Sequence, residues 1–436
     1  MHRFHLLVFA LVLSGAACQP ASVPTANISS PSPSLAPVPT ALPASAIAAR
    51  SSALLSPAQG NLIANPGAEA GTDSEPADWA PDFWGASKVY LSWESTGAYS
   101  GQKYLSARIE AYSGEGDGKW VAPARHLLGG KWYEYSDFYR SDGRNRLIIA
   151  CKDTLTGENS YRTAWQSHAS PVWQRNSFRF YVPSGQTCDP TVMHVLDRNG
   201  WLHTDHHQWV EVSAQPLKRP LISISFDDIW ATSAQEGKAE LEKRGMKGSY
   251  YVVPRFAENT KGVYADTAAI KSLYTAGHEI GTHSFSHVLM TSLKENDIIN
   301  ELRYSTDWLR KKGMEPQGIG YPYGDFNEKV ETETQRFLSY ARTSLAGLND
   351  RSANRYRLRI FPITKSTTTA ELKSWVDAAK ESNSWLILLF HDLKDGEGDF
   401  EYTTSLQQYK DILDYIQQQN LAVVKVGEGL QEITTD

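Results

Sequence analysis

Apolar and polar side chains alternate over short runs at residues 88–93, 131–139, 146–150 and 177–182, and Gly, Ser, Asp and Pro separate the runs. A period of two puts every second side chain on one face of a strand, so the stretch 58–214 is expected to be an all-β jelly-roll or sandwich domain. Ahead of it, residues 19–57 are Ala, Pro, Ser and Thr with almost no charge, a composition that supports no core and reads as a disordered linker. After a break at 215–220 the period changes. An unbroken apolar run at 221–226 is followed by a helical pattern at 233–244 that Gly245 stops. Further strands are expected at 249–253, 279–282, 318–321, 340–343, 385–390 and 422–426, with helices at 266–276, 328–338, 370–381 and 405–419. Ser292 and Glu295 have the spacing of a capping box, opening a helix that runs to Lys312. About seven such strand and helix units make a parallel sheet closed into a distorted (β/α)7-type barrel over 219–436.

At 436 residues the chain has room for two cores, and its 43 Lys+Arg against 49 Asp+Glu, without a basic run, exclude the electrostatic footprint of a nucleic-acid binder. Residues 1–18 read as an export signal: Arg3, an apolar run at 6–13 too short to span a membrane, then small residues before Cys18. Small residues directly before a Cys resemble a lipoprotein signal, which makes Cys18 a lipidation and membrane-attachment site, although Gly15 stands where such signals usually carry Leu. Ordinary cleavage after Ala17 is the alternative, and either route takes the protein out of the cytoplasm. Two cysteines remain, Cys151 and Cys188, which an oxidising compartment would let pair or which stay as buried thiols.

The reactive side chains fall where barrels keep their chemistry, at the C-terminal ends of strands. Asp227 and Asp228 end the first strand, His283 and His287 follow the third, Tyr321-Pro322-Tyr323-Gly324 follows the fourth, and His391 ends a late apolar strand. One carboxylate and two imidazoles can hold a divalent metal while leaving positions open, and a spacing of four puts both rings on one side of a helical turn. The second Asp can then act as base, His391 as acid, and a backbone N–H of the turn after Pro322 can receive an oxyanion.

These motifs, in this order, resemble the polysaccharide deacetylase family, the NodB-like carbohydrate esterases, from about residue 219 to 436. The resemblance implies Asp227 as base, Asp228, His283 and His287 as ligands of a divalent metal, most often Zn2+, Tyr323 as backbone oxyanion donor and His391 as acid. It also implies an acetylated polysaccharide as substrate. Two departures stand out: many members carry Arg at the position of Gly320 to orient the base, and an Asp-x-x-Asp-Trp stretch is missing. Arg359 is the expected replacement for the absent guanidinium. Both departures are more like the branch acting on poly-N-acetylglucosamine-type polysaccharides than the chitin branch.

Nine of the thirteen Trp lie in the predicted sandwich, where they either stack on sugar rings or fill the core, and the stretches 61–69 and 97–101 resemble turns of carbohydrate-binding modules. His203, Asp205, His206 and His207 imitate a metal cluster, yet a polar hairpin explains them, and Glu69 with Glu211 are candidates for a structural calcium. Three functions stay open: an exported N-acetyl deacetylase of a glycan containing N-acetylglucosamine, an O-acetyl esterase on xylan or another glycan, and an inactive glycan-binding protein. Sugar choice would lie in loops 256–264 and 394–402, which carry no readable code.

Overall fold

The computed structural model describes residues 60–434 apart from 73, 123–126, 155–156, 158 and 397–399. The expected signal at 1–18, Cys18 and the linker at 19–57 lie outside the described residues.

Ten antiparallel strands build the first domain: β1 (Ala80–Trp84), β2 (Lys88–Glu94), β3 (Tyr104–Glu110), β4 (Asp117–Val121), β5 (Lys131–Ser141), β6 (Asn145–Asp153), β7 (Asn159–Ser167), β8 (Ser170–Val182), β9 (Gln186–Val195) and β10 (Gly200–Val212). One sheet runs β2-β3-β10-β5-β8, and β7-β6-β9 with the pair β1-β4 covers it. Their inner faces bury Tyr133, Tyr135, Phe178, Phe180, Ile149 and Trp209, so the alternation read from the sequence is the pleat of a sandwich. Cys151 and Cys188 face each other across β6 and β9 and form a disulfide.

The second domain closes seven parallel strands into a ring: β11 (Leu221–Phe226), β12 (Ser249–Val252), β13 (Glu279–Thr282), β14 (Gly318–Gly320), β15 (Tyr340–Ala346), β16 (Leu358–Pro362) and β17 (Trp385–Phe390), with β11 paired to both β12 and β17. The expected number of strands holds, but its membership differs. Residues 358–362, Leu-Arg-Ile-Phe-Pro, form a ring strand that the sequence reading passed over because a charge and a proline interrupt the apolar run. The expected strand at 422–426 shrinks to Ala422–Val423, which hydrogen-bonds to the start of β11 outside the ring. The capping box at Ser292 does not form either: Lys294 is the N-cap, and the Ser292 hydroxyl donates to Leu289 O. A capping box is present at Thr368 and Glu371.

The helix Val426–Thr434 packs Val426, Leu430 and Ile433 into one cluster with Leu221, Trp385 and Ile387, closing the end where the strands begin. The opposite end is left for chemistry. Between the domains, Trp132 of the sandwich joins the barrel's own core cluster, and Arg179 lies 3.1 Å from Asp350.

A polar network sits inside the sandwich. Asp137, fully buried, accepts from the Tyr135 hydroxyl at 2.9 Å and lies 2.6 Å from His194 Nδ1. Because that hydroxyl proton is committed to Asp137, His207 Nδ1, 3.0 Å from the Tyr135 hydroxyl oxygen, must be the donor, which leaves His207 Nε2 bare and buried without a hydrogen-bond partner among the described residues. Burial pushes His207 down to about 4, against the pull of Asp137. In the unfolded chain the imidazole takes its proton near pH 6.5, so stability is fully present above that value and is lost as the pH falls toward about 4. The loss expected at the acid end is on the order of 2–3 kcal/mol. Urea midpoints measured across this range should show the slope, and His207→Gln should flatten it.

Candidate active site

Four strand ends converge at the open end of the barrel. At the end of β11 the Asp227 N–H donates to Phe390 O at 3.1 Å, which ties it to the end of β17. The next two residues, Asp228 (φ 64°) and Ile229 (φ 60°), are left-handed, as are Ser284, His287 and Tyr323. Non-glycine residues seldom adopt this region, and a β-branched Ile there is strained. Five such residues around one cleft mark where the fold spends conformational energy on function.

His283 is anchored by its N–H to Val252 O at 2.8 Å, and its Nδ1 lies 2.6 Å from Gly320 O. A carbonyl only accepts, so Nδ1 carries the proton and the Nε2 lone pair is bare. That Nε2 is 3.7 Å from Asp228 Oδ1, and His287 Nε2 is 3.4 Å from the same oxygen. Asp228 Oδ1 is buried and accepts no hydrogen bond among the described residues. One ligand atom from each of Asp228, His283 and His287 fits within 4.8 Å of the others. Burial pushes His283 down to about 3. It would raise Asp228, but the imidazoles of His287, His283 and His391 bring that carboxyl below its ordinary range. A buried carboxylate oxygen facing a bare imidazole lone pair is a donor set that fits a divalent cation.

The spacing of His283 and His287 works differently from the expected helical turn, for no helix is there. The chain makes an irregular loop, and Glu301, from the helix Glu295–Lys311, holds it: its carboxylate accepts from the N–H groups of Phe285 and Ser286, both at 2.9 Å, and from the Ser286 hydroxyl at 2.6 Å. Sequence reasoning missed Glu301, since a side chain fifteen residues downstream of a loop carries no local signal.

The guanidinium on Asp227 is also different from the expected one. Arg342, not Arg359, hydrogen-bonds to Asp227 Oδ1, and Arg342 is 1 % exposed with its guanidinium 4.3 Å above the Tyr251 ring. Gly320 and Arg342 are register partners on neighbouring strands, and a Cβ at Gly320 would fall 2.6 Å from an Arg342 nitrogen. The glycine makes the hollow that the arginine fills. Arg359 turns to the domain interface, where its Nη1 donates to Ala164 O and Ala346 O at 2.9 and 3.0 Å.

His391 is buried, its Nδ1 has no partner among the described residues, and burial pushes it down to about 4. Tyr323 reaches over His287, with ring centroids 4.6 Å apart and its hydroxyl 3.3 Å from His287 O. Phe256 and Tyr264 stack at 4.4 Å, Trp230 and Phe400 at 4.9 Å, and Tyr402 lies 4.8 Å from His391, so both loops expected to set specificity border the site with aromatic rings.

Three of these strand ends lie in a known sequence pattern: the model of the family described as Polysaccharide deacetylase covers residues 214–340, and His391 lies beyond it. Over these residues the barrel matches the polysaccharide deacetylase family. Chitin deacetylase 1 of Cryptococcus neoformans var. grubii is 24% identical to the chain over 136 residues, 29% of this chain and 28% of that protein. A peptidoglycan-N-acetylglucosamine deacetylase of Bacillus cereus is 25% identical over 156 residues, 34% of this chain and 52% of that protein. The chain thus spans about a quarter and about half of these two curated relatives. Among solved structures, the Xyl-CE4 domain of a multidomain xylanase from the hindgut metagenome of Trinervitermes trinervoides is 20% identical, covers 50% of this chain and 93% of its own, and has a TM-score of 0.37.

In the sandwich, the metal-like cluster that the sequence reading set aside does not assemble: His203, Asp205 and His207 point apart. His203 takes the Arg140 Nε–H at 3.0 Å, Asp205 takes the N–H groups of Tyr99 and Ser100, and His207 faces Tyr135. Glu69 accepts from the N–H groups of Gln102 and Lys103 while Glu211 pairs with Lys131, so the two do not share a cation. Of the Trp residues, Trp79, Trp120, Trp132 and Trp209 are buried, whereas Trp173 lies partly open beneath Arg140 at 4.8 Å.

Removing a group that orients a reacting or ligating side chain costs about 10- to 100-fold in activity or metal affinity. Arg342→Ala should therefore lower kcat by about that factor with KM little changed, while Arg359→Ala lowers Tm and leaves kcat in place. Equal kcat losses in the two variants would return the orienting role to Arg359. Glu301→Gln should weaken metal binding, read by titration of the metal-free protein, by about 10-fold.

Proposed function

We propose that the protein is an exported, metal-dependent deacetylase that removes N-acetyl groups from a glycan containing N-acetylglucosamine. The observation that carries this reading is the buried, unpartnered Asp228 Oδ1 facing the bare Nε2 of His283, with Asp227 alongside at 3.6 Å. A divalent metal held by Asp228, His283 and His287 supplies carbonyl polarisation and water activation, and an Asp/His/His set suits zinc while also accepting cobalt, nickel or iron. The chain's own groups do the rest. Asp227, fixed by Arg342, takes a proton from the attacking water. The Tyr323 backbone N–H is the donor for the oxygen of the tetrahedral carbon. His391 is neutral at rest; as negative charge gathers at that oxygen it takes up a proton from solvent and passes it to the leaving amine, and Asp227 later returns the water's proton to solvent. The rings of Trp230, Tyr264, Phe400 and Tyr402 offer faces on which pyranose rings can stack.

Export rests on the N-terminal pattern, with Cys18 as the lipid attachment point holding the enzyme on the cell surface, and the Cys151–Cys188 disulfide supports the same compartment. The expected outcome is acetate release from N-acetylglucosamine oligomers that stops with chelator, returns with zinc, and falls by at least about 100-fold in Asp227→Asn. Release from acetylated xylan alone would make the enzyme an O-acetyl esterase. No release from any acetylated glycan would leave a binding protein.

A further inference from the structure

The turn that presents Tyr323 is held from outside the barrel. Asp325, two residues on, is 3 % exposed, and its carboxylate reaches three separate parts of the chain. Oδ2 accepts from the Thr291 hydroxyl at 2.7 Å, just beyond the loop that carries His283 and His287. Oδ1 lies 3.1 Å from Nε2 of His168, and Arg144 Nη1 is 3.8 Å from Oδ2. His168 and Arg144 belong to the sandwich, His168 following β7 and Arg144 preceding β6. His168 is itself fixed, because the buried Tyr139 donates its hydroxyl to the His168 carbonyl at 3.1 Å. The next residue repeats the arrangement with apolar groups. Phe326 stacks on Tyr321 at 5.6 Å and receives the edge of Trp165, from β7, at 6.1 Å. Arg357 of the barrel lies over both rings, at 5.8 Å from Trp165 and 5.4 Å from Phe326. The C-terminal end of the turn 321–326 is thus gripped twice, at Asp325 and at Phe326, and sandwich residues are part of each grip.

We propose that the β-sandwich is a working part of the catalytic unit: through Arg144, Trp165 and His168 it fixes the turn 321–326, with Asp325 as the positioning residue that ties this turn to the metal-ligand loop. The physical case rests on what the turn would do without it. Tyr323 has φ 60° and Gly324 φ 66°, a conformation that the local backbone does not favour for a tyrosine. Such a turn holds its shape only when its surroundings over-determine it, and an oxyanion donor acts only when its N–H is aimed before the charge appears. Burial alone would raise the Asp325 carboxyl, yet His168, Thr291 and Arg144 keep it below its ordinary range, so the tie is an ionised one. A carboxylate buried between two domains and left without its sandwich partners would have to take up water or a proton, and the turn would loosen with it.

The kinetic half of this proposal rests on the deacetylase reading and the structural half does not, which lets the two be told apart. The full chain would carry His168→Ala, Arg144→Ala, the double substitution, and Arg144→Lys, with Arg175→Ala, on the far sheet face beside Glu134, as control. Backbone hydrogen exchange in the peptide holding 321–326, Tm, and kcat and KM on N-acetylglucosamine oligomers would be read for each. The double variant should lose about 10-fold or more of the exchange protection in that peptide and about 10-fold in kcat, with KM and the protection of β14 and β15 retained. Arg144→Lys should restore most of the loss that Arg144→Ala causes, and Arg175→Ala should match the parent. If the parent releases no acetate, the exchange data alone decide, and the clamp survives the loss of the deacetylase reading. Unchanged exchange in 321–326, or a rise shared by the whole barrel in step with a lower Tm, would overturn the clamp.

Discussion

Inside a closed ring of seven strands, the carboxylate of Asp227 meets the guanidinium of Arg342, and much of the barrel's polar interior is arranged around that meeting. Burying a charge pair costs several kcal/mol per ion unless geometry and further hydrogen bonds offset it. Here the offset is built from neighbours. Gly320 leaves the space, the Tyr251 face covers the guanidinium, and the Tyr251 hydroxyl continues through Tyr340 to Glu279 at 2.9 and 2.8 Å. Glu279 in turn accepts from Ser249 and from the N–H of Gly427, so the chain of contacts reaches the helix that closes the far end of the ring. Asp227 at one end and the plug at the other belong to one polar column.

This column explains which parts of the site could be read from the sequence. Asp227, Asp228, His283, His287 and His391 were legible because each lies at or just after the end of an expected strand, and the strand's direction fixes the end of the barrel at which it lies. Arg342 was not legible, because its meaning depends on register: it lies opposite Gly320 on the adjacent strand, so the guanidinium has moved one strand sideways from its expected position. A single sequence shows the missing arginine and not its replacement. Arg359 looked suitable, and only the direction of its side chain, out to the domain interface, sets it apart from Arg342. The same limit hid Glu301, whose part in holding a histidine loop is set by where a helix packs rather than by any local pattern.

For the fold, alternation and helical period carried nearly all of the element order, and the failures share a cause. β16 was missed because Arg359 and Pro362 break its apolar run, and both are tolerated because one side chain leaves the barrel for the domain interface and the other ends the strand. The helix opening at Glu295 was given the wrong cap because Ser292 satisfies its hydroxyl in the preceding turn, a competition that hydroxyl side chains often win. In each case a tertiary partner decided between two locally acceptable readings.

That two domains share one set of contacts bears on what the sandwich is for. A module that only tethered the barrel near its substrate would need a small, polar interface, since relative motion would do it no harm. This interface instead places Trp132 in the barrel core, spends Arg359 on a sandwich carbonyl, and sets an ionised aspartate against a histidine and an arginine of the other domain. The aspartate lies within the turn 321–326, two residues from Tyr323. Charges buried across a boundary are costly to separate, so the two domains hold one relative orientation for as long as the site is assembled. Any sugar-binding surface beside Trp173, which lies beneath Arg140, would consequently stand at a fixed distance and angle from Asp228, His283 and His287 and not at the end of a flexible arm.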